Sequence, residues 1–557
     1  MHNRFAVFIV LVLNVLVLAQ EPPTDAPNAP PKSPVTKPAA KPAAKPAGKP
    51  SAKPDAKPVA QPAANLADKT EDTSATSSKQ TAETNDTAVT KPTSAAPGKS
   101  VAALAELNMF WKGVSEKNRS ANFIFNAWIT ATAMPGDSVP MPENIWPGME
   151  GFDNWKKWAQ ANPALREAIL KAQNSFVLGI PYGDGEQGLD AKWKAKGIWA
   201  RPGSAPGEAA FAYLNAVRGL TAFTVISMYL DADAKQFDSA FDLSLAMLRV
   251  LRQVSEQRME AEKLFGMKMM SRLLESNRVF MAANLDTLPV ATLQRVAMKG
   301  YPQIKPGDNE RLKRLELPEG DRLILTESMQ KAFNASGQPN DEYFADQFGA
   351  AQSINSPLTR FGATARWREL SKVHGSLEAS REKLLAIYDD WWRRWRMRFY
   401  DPILDVPTQF SKLNQSKYAV VTLFVENLQQ LFDERLRLIA EIDGTAMSAA
   451  ICGFYLDSAK QWPRNLSSAF PIYGIHRMNF DPFAKDYGNL SYRDLGDKSQ
   501  ALGTQWGQVS VSNAVLWSVG PDHEDDGFDQ HDPADGTGDL VLWPPPRFLA
   551  RQAGLLK

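Results

Sequence analysis

Val515-Leu516-Trp517-Ser518-Val519-Gly520-Pro521-Asp522 and Asp539-Leu540-Val541-Leu542-Trp543 are the two segments on which the C-terminal fold depends. Each contains an apolar run of strand length, so the sequence predicts two neighbouring strands joined by a loop. The loop carries these acidic residues: Asp522, Glu524, Asp525, Asp526, Asp529, Asp532, Asp535 and Asp539. So many carboxylates repel one another unless water solvates them or a cation gathers them.

The residues before these strands predict that 445–557 forms a small α+β unit. Ala446 to Ala459 reads as a helix with small residues on one side, and Trp462-Pro463 ends it because proline cannot continue a helix. Leu490-Ser491-Tyr492-Arg493 is predicted to be a further short strand. The predicted order is therefore helix, short helix and then a short antiparallel sheet.

Residues 101–444 are predicted to form a helical body. Phe211 to Leu230 is apolar at helical spacing, and a second helix begins at Phe237 after Asp231-Ala232-Asp233. Two amphipathic helices joined so closely must lie antiparallel, as in helical repeats, although no strict repeat period is present. Further helices are predicted at 103–117, 163–177, 257–276, 287–299, 319–334, 375–400 and 415–461. The predicted fold class is mainly α, with a helical-hairpin body and a small C-terminal sheet.

The basic aromatic stretch from Tyr388 to Phe399 is interpreted as part of the core. On a helix, one apolar face would contain Leu384, Tyr388, Trp391, Trp395 and Phe399. Arg393 and Arg396 point away from that face, with their aliphatic stems along its edge. We therefore expect this helix to bury its aromatic face instead of presenting a ligand surface.

The N-terminal residues predict export. Residues 1–20 resemble a Sec-type signal peptide, with Arg4 before an apolar run from Phe5 to Leu18 that is short for a membrane span. An uncleaved signal anchor is the alternative. Residues 21–100 are predicted to be a disordered linker, rich in Lys, Pro and Ala and then in Ser and Thr. We expect a protein of the bacterial periplasm or cell envelope, without a stable transmembrane span after signal cleavage.

Composition and motifs give little support for catalysis or nucleic-acid binding. The formal net charge is +1, so a nucleic-acid partner has no electrostatic support. The single cysteine, Cys452, lies in an apolar helical pattern and reads as a buried, inert thiol. Asp389-Asp390 cannot act as a glycosidase pair, because neighbouring side chains on a helix diverge by about 100°. No Gly-x-Ser-x-Gly, His-Glu-x-x-His or Cys-x-x-Cys motif occurs.

The C-terminal motifs resemble, in their order, the C-terminal domain of the major pseudopilins of type II secretion. They are Gln461-Trp462-Pro463, Asp481-Pro482-Phe483, Leu490-Ser491-Tyr492-Arg493, Leu516-Trp517-Ser518-Val519-Gly520-Pro521-Asp522 and Gly538-Asp539-Leu540-Val541. The pseudopilin resemblance covers about residues 445–545. The chain also resembles large, uncharacterised secreted bacterial proteins that append such a unit to a helical body, which residues 163–300 resemble as well.

This resemblance implies a calcium site, since such pseudopilins bind calcium in the loop between their last strands. It implies that Asp522 is the first acidic ligand, that Val519 contributes a backbone carbonyl, and that Asp539 and Asp535 are late ligands. His523 stands where the pseudopilins usually have glycine. No prepilin cleavage site lies near residue 5, which argues against polymerisation through an N-terminal helix.

The chemistry of the loop also favours calcium, because hard oxygen ligands on a flexible loop suit its six to eight coordination positions. Asp522, Glu524 and Asp526 follow the spacing of the first half of an EF-hand, but Pro533 at the twelfth position rules that motif out. The predicted ligands are Val519, Asp522, Glu524, Asp526, Asp535 and Asp539. His523 and His531 leave zinc or manganese open, and a solvated loop without an ion is the remaining alternative.

The function expected from the sequence is that of an exported, non-catalytic envelope protein. Its helical body would bind an unknown envelope protein or cell-wall component, and calcium would stabilise the C-terminal unit. One alternative is a secreted, metal-assisted hydrolase of glycans or peptides. Another is a component linked to type II secretion. No catalytic residue is assigned.

Overall fold

Helices make up most of the computed structural model from residue 101 onward. The structure describes residues 101–556 apart from 137, 184–189, 204–208, 299–315, 342, 345–362, 398–400, 426–427, 474–479, 486–487 and 531–537. The α-helices are α1 Val101–Lys112, α2 Ser120–Thr130, α3 Phe152–Ala161, α4 Pro163–Ala172, α5 Ala191–Ala195, α6 Tyr213–Asp233, α7 Phe237–Ser255, α8 Glu260–Ala283, α9 Val290–Met298, α10 Gly320–Ala332, α11 Ala363–Val373, α12 Leu377–Arg396, α13 Ala419–Val425, α14 Leu428–Asp457, α15 Leu466–Tyr473 and α16 Pro546–Gln552. The strands are β1 Ala200–Arg201, β2 Ala210–Phe211, β3 Ser491–Thr504, β4 Gly507–Ser518 and β5 Leu540–Trp543. The predicted signal peptide (1–20) and linker (21–100) lie outside the described residues.

The predicted antiparallel hairpin is present as α6 and α7, which pack against each other. The chain reverses within three residues, where Lys235 has a φ of 58° and Gln236 N donates to Asp231 O at 2.7 Å. Arg166 of α4 holds this turn through an ion pair of 2.6 Å with Asp231. The apolar residues of α6 are buried around most of the helix, which places the hairpin at the centre of the body.

The long helix α14 joins the body to the C-terminal strands. It packs against α8 and α9 on one side and contacts β5 on another. Gly444 permits this approach, since a Cβ there would lie 2.4 Å from Leu542 Cδ1. The predicted domain boundary between residues 444 and 445 falls inside this helix, and one hydrophobic core contains residues from both sides of it.

The aromatic stretch of α12 is part of the core, as its spacing predicts. The buried residues on its inner face include Leu384, Tyr388, Trp391 and Trp395. Trp391 and Trp395 both contact Phe432 of α14, with ring centroids 5.8 and 6.0 Å apart. Arg393 and Arg396 are exposed, while Phe399 lies outside the described residues.

Other helix boundaries differ from the predictions at their ends. Helices α2, α3, α5, α11 and α16 lie outside the predicted helices, and α4 ends at Ala172 instead of continuing to 177. The predicted helix 415–461 corresponds to α13 and α14, which end at Val425 and Asp457. Pro163 lies in the first turn of α4, as predicted, because proline has no N–H to lose there.

The C-terminal sheet is antiparallel in the order β3-β4-β5. β5 has the predicted bounds, but β3 and β4 extend far beyond the predicted segments 490–493 and 515–519. The extension is a polar hairpin in which alternation provides the only strand signal: Val509 and Val511 are buried while Ser510 is exposed. Val511 and Trp517 face a small second core, whereas Leu516 faces the core of the body.

Among the residues that the structure describes, we find no helix that is both long enough and apolar enough to cross a membrane. The structure therefore establishes a mainly helical chain with a small antiparallel sheet near its C-terminus.

Candidate functional site: the acidic loop and the adjoining cleft

The two ends of the β4–β5 loop meet at a close backbone contact. Gly520 has a φ of 75°, and a Cβ at this position would lie 2.1 Å from Gly538 O, so only glycine fits. Asp522 fastens the contact, because its Oδ2 accepts a hydrogen bond of 2.6 Å from Gly538 N and its Oδ1 accepts one of 3.1 Å from Glu524 N. This hydrogen bond brings Asp522 close to Asp539, because Gly538 directly precedes Asp539 in the chain.

Among the described carboxylates of the loop, Asp539 is buried, with 2% of its surface exposed. Its oxygens accept hydrogen bonds from Asp526 N at 3.4 Å and from Phe528 N. Burial raises the pKa of Asp539 to about 7, and the negative charges of Asp525 and Asp526 contribute to the rise, while the two N–H groups oppose it. The site therefore combines a desolvated carboxylate with two further negative charges.

Other acidic side chains also organise the loop through backbone and ring N–H groups. Asp525 Oδ1 accepts from Trp517 Nε1 and from Gly527 N, both at 3.0 Å. Asp529 Oδ1 accepts from Gly503 N at 3.3 Å and so joins the loop to the β3–β4 hairpin. The carboxylates thus act as internal acceptors for the backbone of residues 519–530, which lies outside the helices and strands.

Asp481 is a site residue that the sequence analysis did not identify as functional. It is buried, and it accepts from Ser518 Oγ at 2.7 Å and Val519 N at 2.8 Å. Burial raises its pKa. Asp481 belongs to the Asp481-Pro482-Phe483 motif, and an aspartate that accepts from the N–H two residues further on is a local turn signal.

The predicted ligands have different positions in the structure. Val519, Asp522 and Asp539 lie where the loop closes, and Val519 and Asp539 are buried. Glu524 and Asp526 are exposed, although Asp526 contributes its backbone N–H to Asp539. Asp535 and the alternative ligand His531 lie outside the described residues.

The alternative transition-metal ligand His523 contacts the backbone of the Asp481-Pro482-Phe483 segment. It has a φ of 63°, and its Nδ1 lies 2.6 Å from Phe483 O. In the described part of the chain, no three His, Cys, Asp or Glu side chains are grouped so as to hold a metal ion. The ligand set therefore stays a prediction.

A cleft of about 180 Å³ adjoins the loop. Helices α8 and α14 contribute its charged floor, the β3–β4 turn contributes Trp506, and the loop contributes Gly538 and Asp539. Arg278 and Glu441 form a buried ion pair of 2.5 Å in this floor, and Arg547 Nε lies 3.0 Å from Glu275 Oε1. The cleft is thus formed where the helical body meets the C-terminal strands.

A second buried carboxylate, Glu262, lies in the helical body. Tyr182 and Tyr213 donate their hydroxyl protons to its two oxygens, each at 2.6 Å. Burial raises the pKa of Glu262 to about 7, whereas these hydrogen bonds oppose the rise. Its position at the start of α8 is readable from sequence, but its tyrosine partners are not.

Comparison of the chain with protein-family models, with curated proteins and with solved structures gives no match.

Proposed function

We propose that this chain is an exported, non-catalytic protein of the bacterial cell envelope, in which calcium closes the β4–β5 loop. The observation that carries the proposal is the position of Asp522 and Asp539 at the single point where the loop closes. Asp522 accepts from Gly538 N, and Asp539 follows directly in the chain. The resemblance of the C-terminal motifs to type II secretion pseudopilins is the second support.

Calcium would relieve a specific electrostatic cost at this point. Asp539 is buried, and Asp525 and Asp526 raise its pKa further. A divalent ion beside these carboxylates would replace their mutual repulsion by attraction. Calcium accepts flexible oxygen ligands, including backbone carbonyls such as that of Val519. The chain would then provide loop order that depends on the calcium concentration outside the cell.

The helical body would supply the interaction surface in this proposal. Its outer side includes Trp392 and Leu385 on α12, which are 43% and 50% exposed. The partner would be another envelope protein or a cell-wall component.

Thermal unfolding in calcium and in chelator tests the proposal. Binding at 100 times the dissociation constant stabilises a native state by about 2.7 kcal/mol. We therefore expect a rise in Tm of several degrees in calcium for the wild type. Asp522→Asn and Asp539→Asn should reduce this rise, since each removes a negative oxygen ligand. Calorimetric titration with calcium, zinc and manganese should show calcium binding most tightly.

The matched control is Asp497→Asn, which changes an exposed aspartate on β3, outside the loop. It should keep the full calcium effect. An equal Tm in calcium and in chelator, together with no heat of calcium binding, would show that the loop holds no calcium. Tighter binding of zinc would favour the transition-metal alternative instead.

A metal-assisted hydrolase is the second candidate, because Glu275, Glu441 and Asp539 all line one cleft. Two of the three are held by arginines, Glu275 by Arg547 and Glu441 by Arg278. Burial alone would raise the pKa of Glu275, but Arg547 and Arg278 lower it below its usual value. An ionised, paired glutamate is a poor general acid, so the non-catalytic proposal is the better supported.

A further inference from the structure

The cleft between the helical body and the C-terminal strands has a preorganised floor. The Arg278–Glu441 pair is 2% and 3% exposed, and Arg278 also donates to Thr445 Oγ1 at 2.8 Å. Arg547 donates to Glu275 at 3.0 Å and to Asn144 Oδ1 at 2.8 Å. These ion pairs and hydrogen bonds hold the side chains of the floor in place and so fix the shape of the cleft.

The rim of the cleft offers polar groups with room to bind a ligand. The side chain of Arg437 is 49% exposed, and its Nε lies 4.0 Å from Glu441 Oε1, which is beyond hydrogen-bond distance. Gln505 and Gln530 line the same cleft with amide groups that both donate and accept.

An aromatic ring completes the rim. Trp506 lies in the β3–β4 turn and is partly buried, and the Arg547 guanidinium is 4.7 Å from its ring centroid. This contact holds the indole at the edge of the cleft. Aromatic side chains next to polar hydrogen-bonding groups suit a ligand with one apolar face and a polar edge.

The charge of the cleft favours a neutral ligand. Its lining contains three arginines, Arg278, Arg437 and Arg547, and three carboxylates, Glu275, Glu441 and Asp539. A balanced set of donors and acceptors matches hydroxyl groups, each of which both donates and accepts. The cleft volume of about 180 Å³ leaves room for several water molecules or for one small polar ring.

We propose that this cleft binds one neutral sugar residue of a glycan, with Arg437, Gln505 and Gln530 bonding its hydroxyls and Trp506 against its apolar face. The identification of the glycan as a cell-wall component rests on the proposed envelope function. The binding itself does not need calcium, although Gly538 and Asp539 belong to both the cleft and the loop.

Saturation-transfer NMR on the full chain tests this, with glucose and N-acetylglucosamine as neutral probes and with glucuronate and glutamate as charged ones. We expect saturable binding of at least one neutral sugar. Arg437→Gln and Gln505→Ala should each weaken it, Arg437→Gln by about tenfold, or about 1.4 kcal/mol. Gln500→Ala is the matched control for Gln505→Ala, because Gln500 is an exposed glutamine on β3 that does not line the cleft.

Three results would overturn the proposal that the cleft binds a neutral sugar. Absence of saturable binding by both neutral sugars overturns the proposal, as does tighter binding of glucuronate or glutamate. Equal weakening by Gln500→Ala would place the sugar elsewhere and would also overturn the proposal. Melting curves establish that each variant is folded, and Gln505→Ala, an exposed site, carries the test should Arg437→Gln unfold.

The same titration in chelator separates this proposal from the proposed function. Sugar binding without any calcium effect on Tm would leave the cleft assignment standing and remove the calcium assignment. A calcium effect on Tm without sugar binding would leave the calcium assignment standing and remove the sugar-binding assignment of the cleft.

Discussion

The helical body and the β4–β5 loop each bury a carboxylate, but they satisfy it in different ways. Glu262 in the body accepts hydrogen bonds from two tyrosine side chains that are distant in sequence. Asp539 in the loop accepts hydrogen bonds from backbone N–H groups of its own loop. Burial raises the pKa of each to about 7. The negative Asp321 adds to the rise for Glu262, whereas Asp525 and Asp526 add to it for Asp539.

This difference indicates where an added ion would have an effect. The body supplies neutral hydroxyl donors that stabilise the Glu262 carboxylate directly. The loop places the negative Asp525 and Asp526 near Asp539, and a proton or a cation there would reduce an electrostatic cost that the two N–H donors offset only in part. The calcium proposal therefore belongs to the loop, whereas the body depends on partners built into its own helices.

The largest expected effect comes from removing such a partner in the body. Arg278→Ala leaves Glu441 buried without its closest cation, so we expect a loss of about 3–5 kcal/mol in the free energy of unfolding. Urea denaturation followed by circular dichroism measures this loss. The matched control is Arg295→Ala, whose pairs with Asp238 and Asp242 are on the surface and should contribute about 1 kcal/mol or less. Similar losses in both variants would contradict a body held by buried partners.

The next effect is a pH dependence from Glu262. Its folded-state pKa of about 7 is above its ordinary value of 4.5, so the folded state binds this proton more tightly. Its contribution to stability is therefore complete below pH 4.5 and is lost as pH rises through 7. Glu262→Gln removes this titration. Between pH 4.5 and pH 8 the wild type should lose, relative to the variant, on the order of 3 kcal/mol, since one pKa unit corresponds to about 1.4 kcal/mol.

Denaturation at several pH values checks this expectation. The neighbouring Asp321 and Lys263, whose pKa values are also shifted by burial, interact electrostatically with Glu262, so the measured difference reports the titration of this group of side chains and not of Glu262 by itself. Parallel profiles for the wild type and Glu262→Gln would show that the tyrosine-bonded carboxylate is already ionised at low pH.

The smallest effect concerns the contact between the two regions. Gly444→Ala places a methyl group against Leu542, so α14 and β5 must move apart at a cost of about 1–3 kcal/mol. Gly113→Ala is the control, because a Cβ there meets no atom within 4 Å. Adding Leu542→Ala to Gly444→Ala should relieve the clash, so the double variant should lose less stability than the sum of the two single variants. A double-mutant cycle measures this difference. Independent, additive effects would show that the two regions do not share this contact.

The sequence predicted those parts of the fold that have a local signal. Helical periodicity identified α6 and α7, and the same periodicity identified the buried aromatic face of α12. Two strand-length apolar runs identified β5 and the last part of β4. The polar extension of β3 and β4 was missed, because exposed Ser, Gln and Asp residues give no apolar run even where the backbone is paired.

In the candidate site, the residues with a local sequence signal were predicted and the residue that depends on long-range contacts was not. Asp522 and Asp539 stand out as acidic residues beside strands, and the structure places both at the closure of the loop. Asp481 was missed as a site residue, because its contacts with Ser518 and Val519 join segments that are far apart in the chain.

What the sequence determined by itself was the helical class, the short C-terminal strands and the concentration of negative charge between the last two. Periods of 3.6 and 2 residues and the spacing of charges are local properties, so they survive without any tertiary contact. Only the tertiary structure decided that Tyr182 and Tyr213 meet Glu262, and that α8, α14 and the loop enclose one cleft. Those contacts depend on how helices cross and which way side chains point across long sequence separations, and local periodicity does not encode either.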